Sequence, residues 1–429
     1  MLQFMIATVI LIVTIIIGIP IAFAIALTTA IYIVMTMPQN IMIIPLRMFS
    51  GVDSFILMAI PLFVLAAEIM VTAGISTKLF DFVRLFLGRV RGGLAYVNVM
   101  ASTVFGSISG AALSDVAGLG KVEIEAMKED GYKSDFACAI TAASSIQSPL
   151  IPPSNIAVLY GGIMSLSIGA LFLAGIVPGL LLAGSQMVFI AVNAKRMNLP
   201  KDHQKYTKAA IIKIIKNGLI AILMPLIIVG GILSGMVTPT ESAGLAVFYA
   251  IIVGLFVYRN VQLKDFINAL WSAAKTSANL FMIIAFSATF AWAMGAQNVP
   301  DKMAQFMLSF SSNPYTLLFF MNVILLIVGM WMECGAAIIL FAPILAPIMY
   351  QVGIHPIHFA VVMLLNLTVG LITPPVGVVL YAVASVGKIK FEELVKATLP
   401  LIIMALIILA LVSYIPELSL FIPRLAGLI

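Results

Sequence analysis

Apolar residues along this chain come in about ten runs of roughly 18 to 25, the length that crosses a hydrocarbon core, with short clusters of charge between them. The first stretch runs almost unbroken from Met1 to Met37 and predicts two spans that turn at Gly18-Ile19-Pro20. It is too long for a cleaved leader and holds no clear cleavage site. Two longer segments, Gly93 to about Asp130 and about Tyr315 to Tyr350, are interrupted by small residues, Gly110-Ala111-Ala112 and Gly335-Ala336-Ala337, and predict helical hairpins. Each is followed by an apolar segment broken at prolines. The first reads Ser148-Pro149-Leu150-Ile151-Pro152-Pro153-Ser154-Asn155, the second Gly370-Leu371-Ile372-Thr373-Pro374-Pro375-Val376-Gly377. Gly335 follows Gly110 by 225 positions and Pro374 follows Pro152 by 222, so the same irregular elements recur at one spacing, as in an internal duplication.

Charge orients these elements. The basic clusters are Lys78 to Arg91, Lys121 to Lys133, Lys195 to Lys216, Arg259 to Lys275 and Lys388 to Lys396. The excess of Lys and Arg on cytoplasmic loops places all five inside. The links at Met37-Pro38-Gln39, Gly161-Gly162, Gly235 to Thr238, Gln297 to Pro314 and Tyr350 to His358 carry few basic residues and belong outside. The first hairpin then enters from the cytoplasmic face and the second from the outer face, as an inverted-topology repeat requires. The expected organisation is a first repeat over 1–194, a cytoplasmic linker over 195–216 and a second repeat over 217–429. Hairpins fall at about 93–130 and 315–350, broken helices at about 135–160 and 359–386. Thr77 to Arg91 and Gln262 to Lys275 mix apolar and charged residues and predict helices lying along the cytoplasmic surface.

Composition adds exclusions. With 62% hydrophobic and 9% charged residues and a mean hydropathy of +1.18, the chain is no soluble globular protein. It reads as an all-α polytopic membrane protein that leaves no room for an extramembrane domain. Cys138 and Cys334 lie in apolar segments, so no disulfide framework is expected. The net charge of +6 belongs to cytoplasmic loops, and no basic, aromatic-bearing segment suggests nucleic acid. His203, His355 and His358 are expected in connectors, and no HExxH pattern occurs. Gly106-Ser107-Ile108-Ser109-Gly110 lacks the nucleophile-elbow spacing and a histidine at its depth, so an enzyme is disfavoured.

The breaks are where chemistry is expected. A helix interrupted at membrane depth exposes backbone groups that lipid cannot satisfy, so it persists only where protein, water or a ligand supplies partners. Freed carbonyls beside hydroxyls suit a hard cation such as sodium, and half-helix N-termini suit a carboxylate. The candidate cation ligands of the first half are Ser102, Thr103, Ser107, Ser109, Gly110, Ser145, Ser148 and Pro149, with Ser144 close by. Those of the second half are Gly329, Gly335, Gly370, Thr373, Pro374 and Val376. Asp115, Ser154, Asn155 and Pro375 are the candidate substrate contacts. Small residues also let membrane helices pack closely, but close packing does not need two adjacent prolines. Glu68, Asp115, Glu241 and Glu333 lie within or beside apolar runs, where an unpaired charge is costly. Each is a proton carrier, a cation ligand or a structural partner, and Asp115 leads because it lies in a hairpin. Arg47 and Asp53 flank a short break as a candidate interfacial pair. Together these features point to a secondary transporter.

The segment Gly51-Val52-Asp53-Ser54-Phe55-Ile56-Leu57-Met58-Ala59-Ile60-Pro61-Leu62-Phe63 closely resembles the large membrane subunit of tripartite ATP-independent periplasmic (TRAP) transporters. Phe105 to Gly120, Ser145 to Asn155, Gly235 to Gly244 and Gly370 to Gly377 do the same, in the family's order and from end to end. The resemblance implies a sodium-driven importer of an organic acid in a bacterial inner membrane, moving as an elevator of the ion transporter superfamily type. It implies a small four-helix membrane subunit (Q type) and a periplasmic substrate-binding protein (P type) as partners. The chain opens on the large subunit's first span, so the small subunit is expected as a separate chain. One sodium (Na+) would sit between the first hairpin and the Ser145 to Ser154 break, a second between the second hairpin and the Gly370 to Val376 break. C4-dicarboxylates and sialic acid are the leading substrate classes. A stand-alone carboxylate carrier and a passive channel are the alternatives; sodium coupling and a requirement for a binding protein separate them.

Overall fold

The computed structural model describes residues 2–38, 41–202, 204, 206–311 and 313–429. Gln39, His203 and Lys205, which fall in predicted connectors, lie outside the described residues. Among the described residues the protein is built of helices alone, with one isolated bridge between Arg91 and Lys201.

In the first half, α1 (Leu2–Ile16) and α2 (Ile21–Thr36) form a pair. It turns where Gly18 adopts a φ of +92° and Pro20 withholds a helical N–H. Next, α3 (Ile43–Val52) and α4 (Ala59–Thr72) meet at a 64° bend. The amphipathic α5 (Ile75–Leu87) leads into α6 (Gly93–Ser109). At Gly110 (φ +64°) the chain turns back through α7 (Ala112–Asp115), a π-type turn at Val116–Gly120, and α8 (Lys121–Glu129). The chain direction bends by 119° between the two arms of this hairpin. The first broken helix comprises α9 (Ser134–Ser145) and α10 (Asn155–Met164), and α11 (Ile168–Arg196) closes the half.

The second half starts with α12 (Lys208–Leu233), α13 (Pro239–Ile252), α14 (Leu263–Ala296) and α15 (Val299–Phe310). The second hairpin is α16 (Pro314–Trp331) and α17 (Cys334–Gln351), and the second broken helix is α18 (Pro356–Gly370) and α19 (Val378–Gly387). The chain ends in α20 (Phe391–Tyr414) and α21 (Glu417–Leu425). α6 and α16, α9 and α18, α10 and α19, and α11 and α20 start 221 to 223 positions apart. Among the described residues seven helices are long and apolar enough to cross a membrane, and up to nine if each bent pair is one span. The remainder of the roughly ten expected runs resolve into shorter apolar helices, because prolines and glycines divide them.

Contacts tie the basic clusters to one face. Arg84 pairs with Asp202 at 2.6 Å, joining the first cluster to the linker. The Lys78 ammonium sits 4.1 Å from the Tyr258 ring centroid, next to the fourth cluster. Lys128 donates to the Gly387 carbonyl at 2.6 Å, beside the fifth, and α5 packs on α8 of the second. At the other end, Thr240 donates to the Phe55 carbonyl at 2.9 Å, and the Tyr160 and Tyr350 hydroxyls lie 3.5 Å apart. The first hairpin therefore opens and closes on the basic face and the second on the opposite one.

Three expectations are corrected. Gln262 to Lys275 is no separate surface helix: from Leu263 it opens α14, whose 34 residues contain no proline and no glycine before Gly295. At 1.5 Å per residue α14 is about 51 Å long, beyond the ~30 Å core. The amphipathic counterpart of α5 is instead α15, whose Val299, Met303 and Met307 recur every four residues and face inward. His358 lies inside α18 rather than in a connector, buried with Nδ1 2.7 Å from Ser419 Oγ and Nε2 3.2 Å from the Ser413 carbonyl. Arg47 does not pair with Asp53; its guanidinium stacks 5.2 Å from the Trp292 ring centroid.

Candidate functional site

The prolines explain the local shape of the breaks. Without an N–H, Pro374 and Pro375 remove the helical donors to the carbonyls of Gly370 and Leu371. Thr373 N donates to the first at 2.9 Å and Val379 N to the second at 3.1 Å, so the chain turns instead of continuing. In the first break, the Pro149 carbonyl accepts the Ser154 hydroxyl, and that hydroxyl also caps α10 by accepting from Ala157 N at 3.2 Å. The Pro152–Pro153 and Pro374–Pro375 peptide bonds are both cis.

Glycine seats each hairpin on its break. A Cβ on Gly106 would lie 2.6 Å from Ser148 Cα, and one on Gly370 would lie 2.6 Å from the Gly329 backbone. The halves also interlock: α10 packs on α17, and α19 packs on α8 and α9. Outside this body, α4 and the longer α14 pack on each other as two arms, α4 also on α13 and α14 on α2.

A cavity of about 450 Å³ lies where the two assemblies meet. Its walls are α4 (Ile60 to Val71), the first hairpin tip (Ser109 to Gly118), the start of α10, the middle of α14 (Thr276 to Ile283) and the second tip (Glu333, Gly335). Glu68 accepts from Ser272 Oγ at 3.0 Å, which fastens α4 to α14. Glu333 caps α17 by accepting from Gly335 N at 2.9 Å and Ala336 N at 3.3 Å. Asn155 donates to the Ser109 carbonyl at 3.1 Å and so ties α10 to the hairpin tip.

Of the sequence candidates, Ser109, Asn155 and Gly335 line this cavity, as do Glu68 and Glu333. Ser154 is a buried cap. Ser102, Thr103, Ser107, Ser145, Ser148 and Pro149 lie behind the tip in the contact of α6 with α9 and the first break, and all are buried. Ser107 donates to the Val104 carbonyl at 2.5 Å and Ser145 to that of Ala142 at 2.9 Å. Gly329, Gly370 and Thr373 occupy the matching contact of α16 with the second break, where Thr373 donates to Val369 at 2.8 Å. Pro374 and Val376 are half-buried and Pro375 is exposed. Glu241 is an exposed residue closing a reciprocal cap with Thr238.

Asp115 is only 1% exposed and stands against Ser102 and Ser148. Its neighbour Glu123, within the basic stretch Lys121 to Lys133, is fully buried and accepts from Ser102 Oγ at 3.3 Å. Asn98, Thr141 and Ser144 extend this network, with Asn98 donating to Thr141 at 2.7 Å and Ser144 to Asn98 at 2.8 Å. Gln147 donates to Gln186 at 2.6 Å beside it. The missed signal was periodic: Asn98 and Ser102 are four apart in one apolar helix, and Thr141 and Ser144 three apart in another. Buried oxygens of Asp115, Glu123 and Ser148 lack a hydrogen-bond partner among the described residues. Unpartnered oxygens of this kind suit a hard cation; no cluster of three His, Cys, Asp or Glu occurs among the described residues.

Solved structures share the fold. An Alcanivorax borkumensis YdaH transporter matches with a TM-score of 0.58 at 14% identity, over 85% of each chain. Neisseria gonorrhoeae MtrF matches with 0.59 at 15%, over 88% of this chain and 84% of that one. In sequence, the sialic acid TRAP transporter large permease protein SiaM of Vibrio cholerae is 39% identical over 95% of both chains. The C4-dicarboxylate large permease DctM of Pseudomonas aeruginosa is 35% identical over 94% of this chain and 95% of its own. The 2,3-diketo-L-gulonate large permease YiaN of Escherichia coli is also 35% identical, over 94% of both. Residues 8–418 match the family described as "Tripartite ATP-independent periplasmic transporter, DctM component". With that match over nearly its whole length, the chain belongs to the TRAP transporter large permeases.

Proposed function

We propose that this permease imports an organic acid of the sialic acid or C4-dicarboxylate class across a bacterial inner membrane, driven by sodium, together with a small four-helix subunit and a periplasmic binding protein. The observation that carries the reading is the cavity between the arms α4 and α14 and the tips of both hairpins. Substrate sites in repeat-built carriers lie at such junctions of broken helices. The names of the relatives support the substrate class and the tripartite assembly.

Sodium would bind as a transported ion at and behind each tip. The first site draws on Ser102, Thr103, Ser107, Ser109, Gly110, Ser145, Ser148 and Pro149; the second draws on Gly329, Gly335, Gly370, Thr373, Pro374 and Val376. The interlocked hairpins and broken helices would move as one body against the arms, carrying the cavity from face to face. The test is uptake into proteoliposomes with and without the small subunit, the binding protein and an inward sodium gradient. Uptake of sialic acid or a dicarboxylate that needs every component supports the reading. Uptake by this chain alone, or at an equal rate without sodium, refutes it.

A further inference from the structure

The ionisable side chains of the cavity walls are all acidic. Among the described residues the walls hold two carboxylates, Glu68 and Glu333, and no Lys, Arg or His. The start of α17 would otherwise cradle an anion, but the Glu333 carboxylate already accepts its first free amides, Gly335 N and Ala336 N. Each glutamate uses one oxygen on protein, Glu333 on these amides and Glu68 on Ser272, which leaves the other oxygen as an acceptor for a ligand. The first hairpin and α10 contribute a neutral wall of Ser109, Ser114 and Asn155. At about 450 Å³ the cavity has room for a sugar acid as well as for a four-carbon diacid, so the polar groups of its walls, not its size, decide between them.

We propose that this cavity selects a polyhydroxylated monocarboxylate, a sugar acid, and rejects short dicarboxylates. The single carboxylate lies toward Ser109 and Asn155, and hydroxyls donate to Glu68 and Glu333. Hydroxyl-to-carboxylate bonds are charge-assisted, so a ligand that donates to these half-buried glutamates is favoured over one that cannot. A second substrate carboxylate about 6 Å from a glutamate in its ionised form, at an effective dielectric of ~20, loses on the order of 100-fold in affinity. The inference rests on the transport-site reading above.

The experiment is equilibrium binding, with thermal stabilisation as a second readout, to the purified permease with its small subunit in sodium. The probes are D-gluconate, N-acetylneuraminate and succinate. At least one sugar acid is expected to bind on the order of 100-fold tighter than succinate. Glu333→Gln keeps a cap acceptor and Glu68→Gln keeps one for Ser272; each is expected to weaken the sugar acid about tenfold and to narrow its lead over succinate. Succinate binding as tightly as the sugar acids in the unmodified protein overturns the inference, as does an unchanged ratio in both variants. Absence of binding and of uptake for both classes refutes the transport-site reading itself, and this inference with it.

Discussion

Gly370→Ala tests whether the second broken helix is seated directly on its hairpin. The added Cβ would stand 2.6 Å from Gly329 C and Cα and 3.0 Å from its carbonyl oxygen. Ordinary carbon contacts need about 3.5 Å or more, so α16 and the break must part by almost 1 Å. The obstructing atoms are backbone, and no side chain can swing aside. Overpacking of this kind costs about 1–3 kcal/mol, and it falls where the sodium-binding carbonyls of Gly370 and Thr373 are proposed. Gly230→Ala is the control, because a Cβ there meets nothing within 4 Å, and alanine is the better helix former by up to ~1 kcal/mol. Melting in detergent and sodium-activated uptake are the assays. Gly370→Ala is expected to melt earlier and to need more sodium, while Gly230→Ala is neutral or slightly more stable. Equal melting and equal sodium activation of the two variants would refute the seating argument.

Four further outcomes follow from the same geometry. Ser107→Ala and Thr373→Val are expected to raise the sodium needed for half-maximal uptake by about tenfold while melting within ~1 kcal/mol of the parent; unchanged sodium activation in both would remove the site assignment. Gly110→Val combines a left-handed φ of +64° with a Cβ 2.9 Å from Asn155 N, so it should abolish uptake, and normal uptake would show that the hairpin tip tolerates displacement. Cysteine at Lys302 on α15 should react with a membrane-impermeant thiol reagent from the outer face, and cysteine at Arg89 from the cytoplasmic face; both native cysteines are buried. Labelling of both from one side would contradict the opposed insertion of the two hairpins. Asp202→Asn weakens the 2.6 Å pair with Arg84 that holds α5 to the linker. A loss of about 1–3 kcal/mol should appear as earlier melting, and unchanged melting would argue against that tether.

Sequence made the irregular elements legible because prolines and glycines act locally. The Pro374-Pro375 break and the Gly110 turn follow from missing amides and a left-handed φ, and both are visible in a few residues. What sequence hid depends on helical faces. Glu123 sits among lysines in the chain, yet three-residue and four-residue spacing turns it inward to Ser102 while Lys121 faces out to Glu125. Gln262 to Lys275 and Val299 to Phe310 have similar mixed composition, and only the absence of any break before Gly295 distinguishes the start of a long span from a surface helix. The cavity draws Thr276 and Asn279 from an arm more than a hundred residues away from the first hairpin. No local pattern marks such residues, because tertiary packing alone selects them.

The most direct test of the transport cavity uses Ser114→Cys, an exposed position on its wall. Its rate of labelling by a small thiol reagent would be measured in reconstituted assembly, with and without sodium and the transported acid. Sodium and the acid together should slow labelling strongly, with little effect of the acid when sodium is absent. Labelling at one rate under all conditions, in an assembly that still transports, would place the substrate elsewhere and contradict the account.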